Sequence, residues 1–394
     1  MQKCFSICML ALLLSACGGG GGSEPTSAPI IVDEGNAPSE NADEGSSYQH
    51  AKTDIHINYS YLPLQNVDGY TPLMDAIAYI DANHDGFTDV FMATGSYLLE
   101  GEITSEMFIN DTTGYFYFDN SSFNGDVVPA THARKTLVAD FNGDGLMDMF
   151  IADHGFDADP FPGNNPKLVI QDSEGSFSWQ RLTEQTGFHH TAAAADIDND
   201  GDIDVFVGGS DPFFYTNDGA ASFTFDSSRL AARTVFASEL IDVDQDGYVD
   251  LLVGAHEQDG DTTAIFWGGS SGKFIQSRST TLASVSGYGT ILDFEAEDID
   301  GDGDRDVIIN RTGGGSSNFY QGVNVQLLLN NGSRAFTDAS TQIDDNGTDS
   351  DNWFPWLRAQ DYDNDGDIDI FSDDLGDDLL LINDGNGNFT RSTF

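Results

Sequence analysis

Six nine-residue segments of this chain share the pattern D-x-[DN]-x-D-G-x-x-D: DANHDGFTD from Asp81, DFNGDGLMD from Asp140, DIDNDGDID from Asp196, DVDQDGYVD from Asp242, DIDGDGDRD from Asp298 and DYDNDGDID from Asp361. Side-chain oxygens at positions 1, 3, 5 and 9, with the main-chain carbonyl of position 7, form the donor set of a hard cation, calcium above all. The ligands expected in the first two loops are Asp81, Asn83, Asp85, Phe87 and Asp89, then Asp140, Asn142, Asp144, Leu146 and Asp148. In the third and fourth they are Asp196, Asp198, Asp200, Asp202 and Asp204, then Asp242, Asp244, Asp246, Tyr248 and Asp250. In the last two they are Asp298, Asp300, Asp302, Asp304 and Asp306, then Asp361, Asp363, Asp365, Asp367 and Asp369. Position 6 is glycine throughout, as the sharp turn requires. Six such loops in register predict six Ca²⁺ ions.

An EF-hand needs a bidentate Glu at position 12 and flanking helices. Position 12 here is Met92, Ile151, Val207, Val253, Ile309 or Ser372, none of which chelates as Glu does. Position 9 instead opens apolar runs such as Val205-Phe206-Val207 and Val307-Ile308-Ile309, which read as strands buried on both faces. Upstream of each loop lies a short strand rich in small residues, as in Ala192 to Ala195. Downstream come an apolar tetrad, an Asn/Asp/Gly turn and an aromatic, as in FYTNDGAASF and LLINDGNGNF, the grammar of a β-hairpin. Each unit is therefore strand, loop, strand, variable connection, strand, tight hairpin, strand. Loop starts lie 59, 56, 46, 56 and 63 residues apart. A four-stranded unit at this period predicts an all-β chain folded as a β-propeller, with cation loops joining first and second strands. Calcium-binding nonapeptide β-helices have far shorter periods and do not fit.

With these loops and with glycine-bearing strand ends such as Val253-Gly254-Ala255-His256, the chain resembles the FG-GAP and VCBS repeat family of calcium-loop propellers, which includes integrin α-subunit heads. The resemblance covers about residues 70 to 394 and implies the fold and the metal; family members bind proteins or sugars, or are fused to enzymes. Six units are visible, whereas integrin heads have seven blades; residues 48–70 supply either a ring-closing strand or part of a degenerate blade.

The N-terminus carries an address. Lys3 precedes an apolar stretch from Phe5 to Leu14 that is too short to span a membrane as a helix, and Leu14-Ser15-Ala16-Cys17 matches a bacterial lipobox. Residues 1–16 are expected to leave as a signal peptide, taking Cys4 and Cys8 with them, and Cys17 to carry lipid. Residues 17–47 form the lipidated cysteine and a flexible acidic tether, and 48–394 the propeller. Gly18 after Cys17 favours an outer-membrane lipoprotein, on the periplasmic side or at the cell surface. The mature chain would hold one cysteine, so calcium must provide the cross-linking that disulfides give other exported proteins.

With 66 acidic against 15 basic residues the formal charge is −51, which disfavours nucleic acid and anionic membrane surfaces as partners. Six Ca²⁺ would cancel 12 of those charges and leave about −39. The chain is expected to be monomeric and to touch membrane only through its lipid. Within a loop, unit charges about 4 Å apart repel by roughly 1 to 4 kcal/mol, so each loop opposes its own closure without a cation.

Loops and hairpins emerge on one side of such a propeller, and the connections that vary emerge on the other. That opposite rim is expected to carry His132, Arg134, His154, His189, His190, Arg233, His256, Tyr288, Arg311, Tyr320, Trp353 and Trp356, and to bind a protein or glycan. A scaffold role in an envelope complex is the second reading, and a polysaccharide lyase or hydrolase using rim His and Tyr the third. No P-loop, dinucleotide fingerprint or zinc motif is present, which favours a protein that is not an enzyme.

Overall fold

The computed structural model describes residues 76–393, apart from 94, 96–99, 114, 184, 314–319, 345, 348–352 and 373–378. The expected signal peptide, the expected tether and the 48–70 segment lie outside the described residues.

Six four-stranded antiparallel sheets succeed one another along the chain, each with its strands in sequential spatial order. Blade 1 comprises Ile77–Ile80, Asp89–Met92, Glu106–Asn110 and Phe116–Phe118, and blade 2 Ala133–Ala139, Asp148–Asp153, Lys167–Gln171 and Phe177–Arg181. Blade 3 comprises Thr191–Ala195, Asp204–Gly208, Phe213–Thr216 and Thr224–Asp226, and blade 4 Ala237–Ile241, Asp250–Gly254, Ala264–Phe266 and Ser279–Thr281. Blade 5 comprises Thr290–Glu297, Asp306–Gly313, Gln321–Asn330 and Phe336–Asp338, and blade 6 Arg358–Gln360, Asp369–Ser372, Leu379–Asn383 and Phe389–Ser392. The fold is thus a six-bladed propeller. First strands line the axis, where the Ala192–Ala195 run leaves room for its neighbours. Blade 6 meets blade 1 through Arg358, whose guanidinium lies 4.5 Å above the Tyr79 ring.

The apolar runs of the second strands are continuous because each strand has a blade on either side. Met149 and Ile151 point into the layer shared with blade 1, which contains Phe91, Met107 and Phe123. Phe150, between them, points into the layer shared with blade 3, beside Val205 and Tyr215. Alternation therefore sends side chains to two cores rather than to core and solvent. Burying each such side chain contributes about 1.5–3 kcal/mol.

Blade 4 departs from the expected hairpin. Its fourth strand starts at Ser279, after a 3-10 turn at Gln276–Arg278, and not at Phe274. Phe274 is instead buried against Phe214 of blade 3, their rings stacked at 5.7 Å. Packing between blades outcompetes hairpin pairing for that aromatic.

Candidate functional site

All six acidic loops take one conformation. The position-1 carboxylate accepts the N–H of the position-6 glycine in every loop, as in Asp81 from Gly86 at 2.9 Å and Asp242 from Gly247 at 2.7 Å. The position-5 carboxylate accepts the N–H of position 7, as in Asp246 from Tyr248 at 3.0 Å. Two residues per loop are left-handed: the position-6 glycine, and position 4, where His84, Gly143, Asn199, Gln245, Gly301 and Asn364 have φ between 57° and 74°. The position-4 requirement is legible only as a bias to Gly and Asn.

Folded this way, the loops aim oxygens at one point. Carboxylate oxygens lie within 4.8 Å of one another in the trios Asp196/Asp198/Asp204, Asp242/Asp244/Asp246, Asp298/Asp300/Asp302 and Asp361/Asp363/Asp365. In the first two loops position 3 is Asn, and its amide donates to position 5, as Asn83 does to Asp85 at 3.0 Å. The donor set holds oxygen and no nitrogen or sulfur, offers three carboxylates in each of the first two loops and four in each of the others, and sits on an exposed loop. Those properties fit a hard divalent cation such as Ca²⁺ and not a soft metal.

Position 9 has a second task. Asp89, Asp148, Asp204, Asp250, Asp306 and Asp369 are essentially inaccessible. Each accepts two main-chain N–H groups: position 2 of its own loop, and the residue at or just beyond the end of the third strand. Asp250 accepts Val243 at 2.9 Å and Gly268 at 2.7 Å; Asp306 accepts Ile299 at 2.9 Å and Asn330 at 2.7 Å. The carboxylate staples the loop to the blade. Burial first, and neighbouring loop carboxylates after it, raise Asp89 to about 6, Asp148, Asp204 and Asp306 to about 7, and Asp250 to about 8.

A coupling residue escaped the sequence reading. The Asn217 side-chain amide donates to Ile203 O of its own blade at 3.1 Å and to Phe141 O, position 2 of the previous blade's loop, at 2.8 Å. Asn383 bridges Ile368 O and Ile299 O in the same way, and Gln171 reaches Ala82 O at 3.1 Å. These amides tie successive cation loops together, whereas in sequence they look like ordinary hairpin-turn residues. Asn217→Ala orphans two buried carbonyls and is expected to cost about 2–4 kcal/mol, measurable by urea denaturation in calcium.

Loop 4 carries an added cation of its own. Arg334, in the hairpin of blade 5, pairs with Asp244 through Nε and with Asp246 through Nη2 at 2.9 Å, its guanidinium 4.7 Å above the Trp267 ring. A guanidinium and Ca²⁺ compete for these oxygens. Arg334→Ala is therefore expected to raise the calcium affinity of loop 4 while lowering the metal-free melting temperature. Calorimetric titration together with melts in EDTA checks both.

The opposite rim differs from expectation in depth. Arg311 is not on it: the side chain is wholly buried in blade 5, donating to Gln326 at 2.7 Å and to both oxygens of Glu257 at 3.1 and 3.3 Å. Its removal would leave the half-buried Glu257 carboxylate without its guanidinium partner, a loss of stability and not of binding. His132, His154 and His189 are also buried. His189 packs on Phe213, and burial lowers its imidazole to about 4. Arg233 lies over the Phe266 ring and donates to Thr262 O, and the Tyr288 carbonyl accepts Arg311. The remaining rim residues do gather. Arg134, His190, His256, Tyr320 and Trp356 line one axial cavity of about 90 Å³, with Trp353 stacked on Tyr320 at 4.4 Å.

A propeller whose every blade carries one acidic, oxygen-rich loop of the same conformation defines the class of protein. FG-GAP-like repeats match at residues 81–151, 140–207, 196–253, 242–309 and 298–372, and the chain belongs to that family. Among solved structures it is similar to an Agrocybe aegerita lectin that recognises non-reducing terminal N-acetylglucosamine, at 18% identity and TM-score 0.35 over 76% of this chain and 90% of that one. It is also similar to the V. cholerae biofilm matrix protein Bap1, at 17% identity and TM-score 0.41 over 74% of this chain and 42% of that one. A third similarity is to BBS1N in complex with ARL6DN, at 13% identity and TM-score 0.41 over 79% and 77% of the two chains. No curated protein matches this chain significantly.

Proposed function

We propose that the protein is a calcium-stabilised binding module, held at the bacterial outer membrane by lipid on Cys17, that recognises a protein or glycan through the face opposite its cation loops. The observation that carries this reading is the division of labour between faces. One bears six acidic loops of one conformation, four of them with clustered carboxylates that could hold a cation, and the other gathers residues of all six blades around the axial cavity. Binding is favoured over catalysis because burial lowers His154 to about 3 and pushes His190 well below its ordinary range. A general base works best with a pKa near the working pH, and these imidazoles are neutral and weakly basic at pH 7. Among the described residues no helix is long and apolar enough to cross a membrane.

The test combines arrays of glycans and matrix proteins, probed with and without EDTA, with fractionation of Cys17→Ser. Expected are a calcium-dependent ligand, weakened by Trp353→Ala without loss of calcium-dependent melting, and release of Cys17→Ser from membranes. A wild-type protein that partitions into the aqueous phase of a detergent extraction would remove the anchor from this reading.

A further inference from the structure

We infer that the ligand surface is a strip of rings leading into the mouth of the axial channel, and that it takes a neutral saccharide; this rests on the binding-module reading above. Ring contacts run without a break across three blades. Phe161 meets Phe188 at 5.6 Å, Phe188 meets His154 at 4.2 Å, His154 meets His190 at 4.4 Å, His190 meets Phe236 at 4.1 Å, and Phe236 meets His256 at 4.9 Å. These residues follow second strands or precede first strands, so all of them lie on the face away from the cation loops.

Depth divides the strip into support and surface. His154 is 2% exposed and stands edge-on to both Phe188 and His190, at 89° and 87°. Its Nδ1–H donates to Gly155 O at 3.2 Å, so its Nε2 accepts from His190 Nε2 at 3.0 Å, and both rings are held in place. Phe161 is 45% exposed, and Phe188, His190, Phe236 and His256 are half-buried, offering part of each ring to a ligand. Rings fixed before binding lose little freedom when a ligand arrives. The strip ends at the axial cavity, where Arg134, His190, Phe236 and His256 face Tyr320 and Trp356 from the far blades.

The chemistry of this surface selects its occupant. A sugar ring presents apolar C–H faces that pack on aromatic rings, and hydroxyls around its edge that pair with imidazole, guanidinium and threonine. The strip alternates such partners, with Phe beside His and with Arg134 at the cavity. A wholly apolar ligand would strip water from Arg134 and the imidazoles without replacing it. A polyanionic glycan would meet a molecule of formal charge −51, still about −39 with six Ca²⁺ bound, and be repelled on approach. A concave axial mouth suits a chain end or a single sugar unit better than a flat protein surface.

The experiment uses the calcium-loaded full-length chain in detergent. It is titrated with neutral hexasaccharides of the cello-, chito-, manno- and malto- series, with oligogalacturonate and hyaluronan as acidic counterparts, and screened on a protein array. Expected is binding of a neutral saccharide that Phe161→Ala and Phe236→Ala each weaken about tenfold, while Tyr117→Ala leaves it unchanged. Tyr117 is 50% exposed on the outermost strand of blade 1 and serves as a remote control. Melting in calcium separates lost binding from lost folding. Phe236→Leu keeps an apolar side chain if the alanine variant fails to fold.

Neutral-saccharide binding that neither ring variant touches would overturn the site and leave the binding-module reading intact. Binding of acidic sugars alone would overturn the assigned chemistry. A protein ligand with no saccharide overturns this inference only. Silence in every panel overturns the binding-module reading itself.

Discussion

Chelation with EDTA is expected to lower the melting temperature by roughly 20–30 °C. At free calcium about 100-fold above its dissociation constant, each site that binds only the folded chain contributes about 2.7 kcal/mol, so six independent sites contribute about 16 kcal/mol. The clustered trios, for instance Asp298, Asp300 and Asp302, add to the loss: without a cation three carboxylates repel across less than 4.8 Å. The effect should depend on pH. In the metal-free protein Asp148, Asp204 and Asp306 have carboxyls raised by burial to about 7, and Asp250 to about 8, from an ordinary 3.8. A folded-state value above the unfolded one means that the fold prefers the protonated form. That stabilisation is fully present below about pH 4 and is lost as pH rises through 6 to 8. Metal-free protein should therefore melt at a higher temperature at pH 5 than at pH 8. Calcium, which needs the ionised carboxylates, should stabilise increasingly over the same range. Melts in EDTA and in calcium between pH 5 and 8 check both signs. A metal-free melting temperature that climbs with pH would count against the buried carboxylates.

The second large effect is expected from Asp250→Ala. This one carboxylate accepts the main-chain N–H groups of Val243 and Gly268, and no water reaches them in its place. Two orphaned buried donors cost about 2–6 kcal/mol, and the loss should persist in EDTA because it does not pass through the metal. Asp250→Asn keeps one acceptor and should fall between wild type and alanine. Denaturation curves of the three proteins, each with and without calcium, separate the staple from the ligand. If EDTA erases the difference between wild type and Asp250→Ala, position 9 acts through the cation alone.

Much of this molecule can be read from local sequence because its repeat is local. An aspartate loop, a glycine at its sixth position and an apolar run after its ninth are properties of about a dozen neighbouring residues, and each unit restates them. The pairing of first with second strands and of third with fourth follows from the short acidic loop and the tight hairpin that join them. The side chains whose partners lie in another blade were misread or missed. Asn217 looks like a turn residue until Phe141, 76 positions earlier, supplies the carbonyl it reaches. Arg311 looks like a cation on a variable loop until Glu257, 54 positions earlier, folds over it. Phe274 looks like the start of a strand until Phe214 of the previous blade captures its ring.

Sequence alone therefore determined the four-stranded unit, its repetition and the oxygen chemistry of its loops, since these depend on spacing along the chain and on residue type. The tertiary structure decided the closure at six blades within the described residues, which of the rim histidines are buried, and the double task of Asp89 and its five counterparts. Burial and hydrogen bonding there depend on which blades meet across the axis and at the junctions. Contacts of that kind are set by the closing of the ring and leave no periodic mark on the chain.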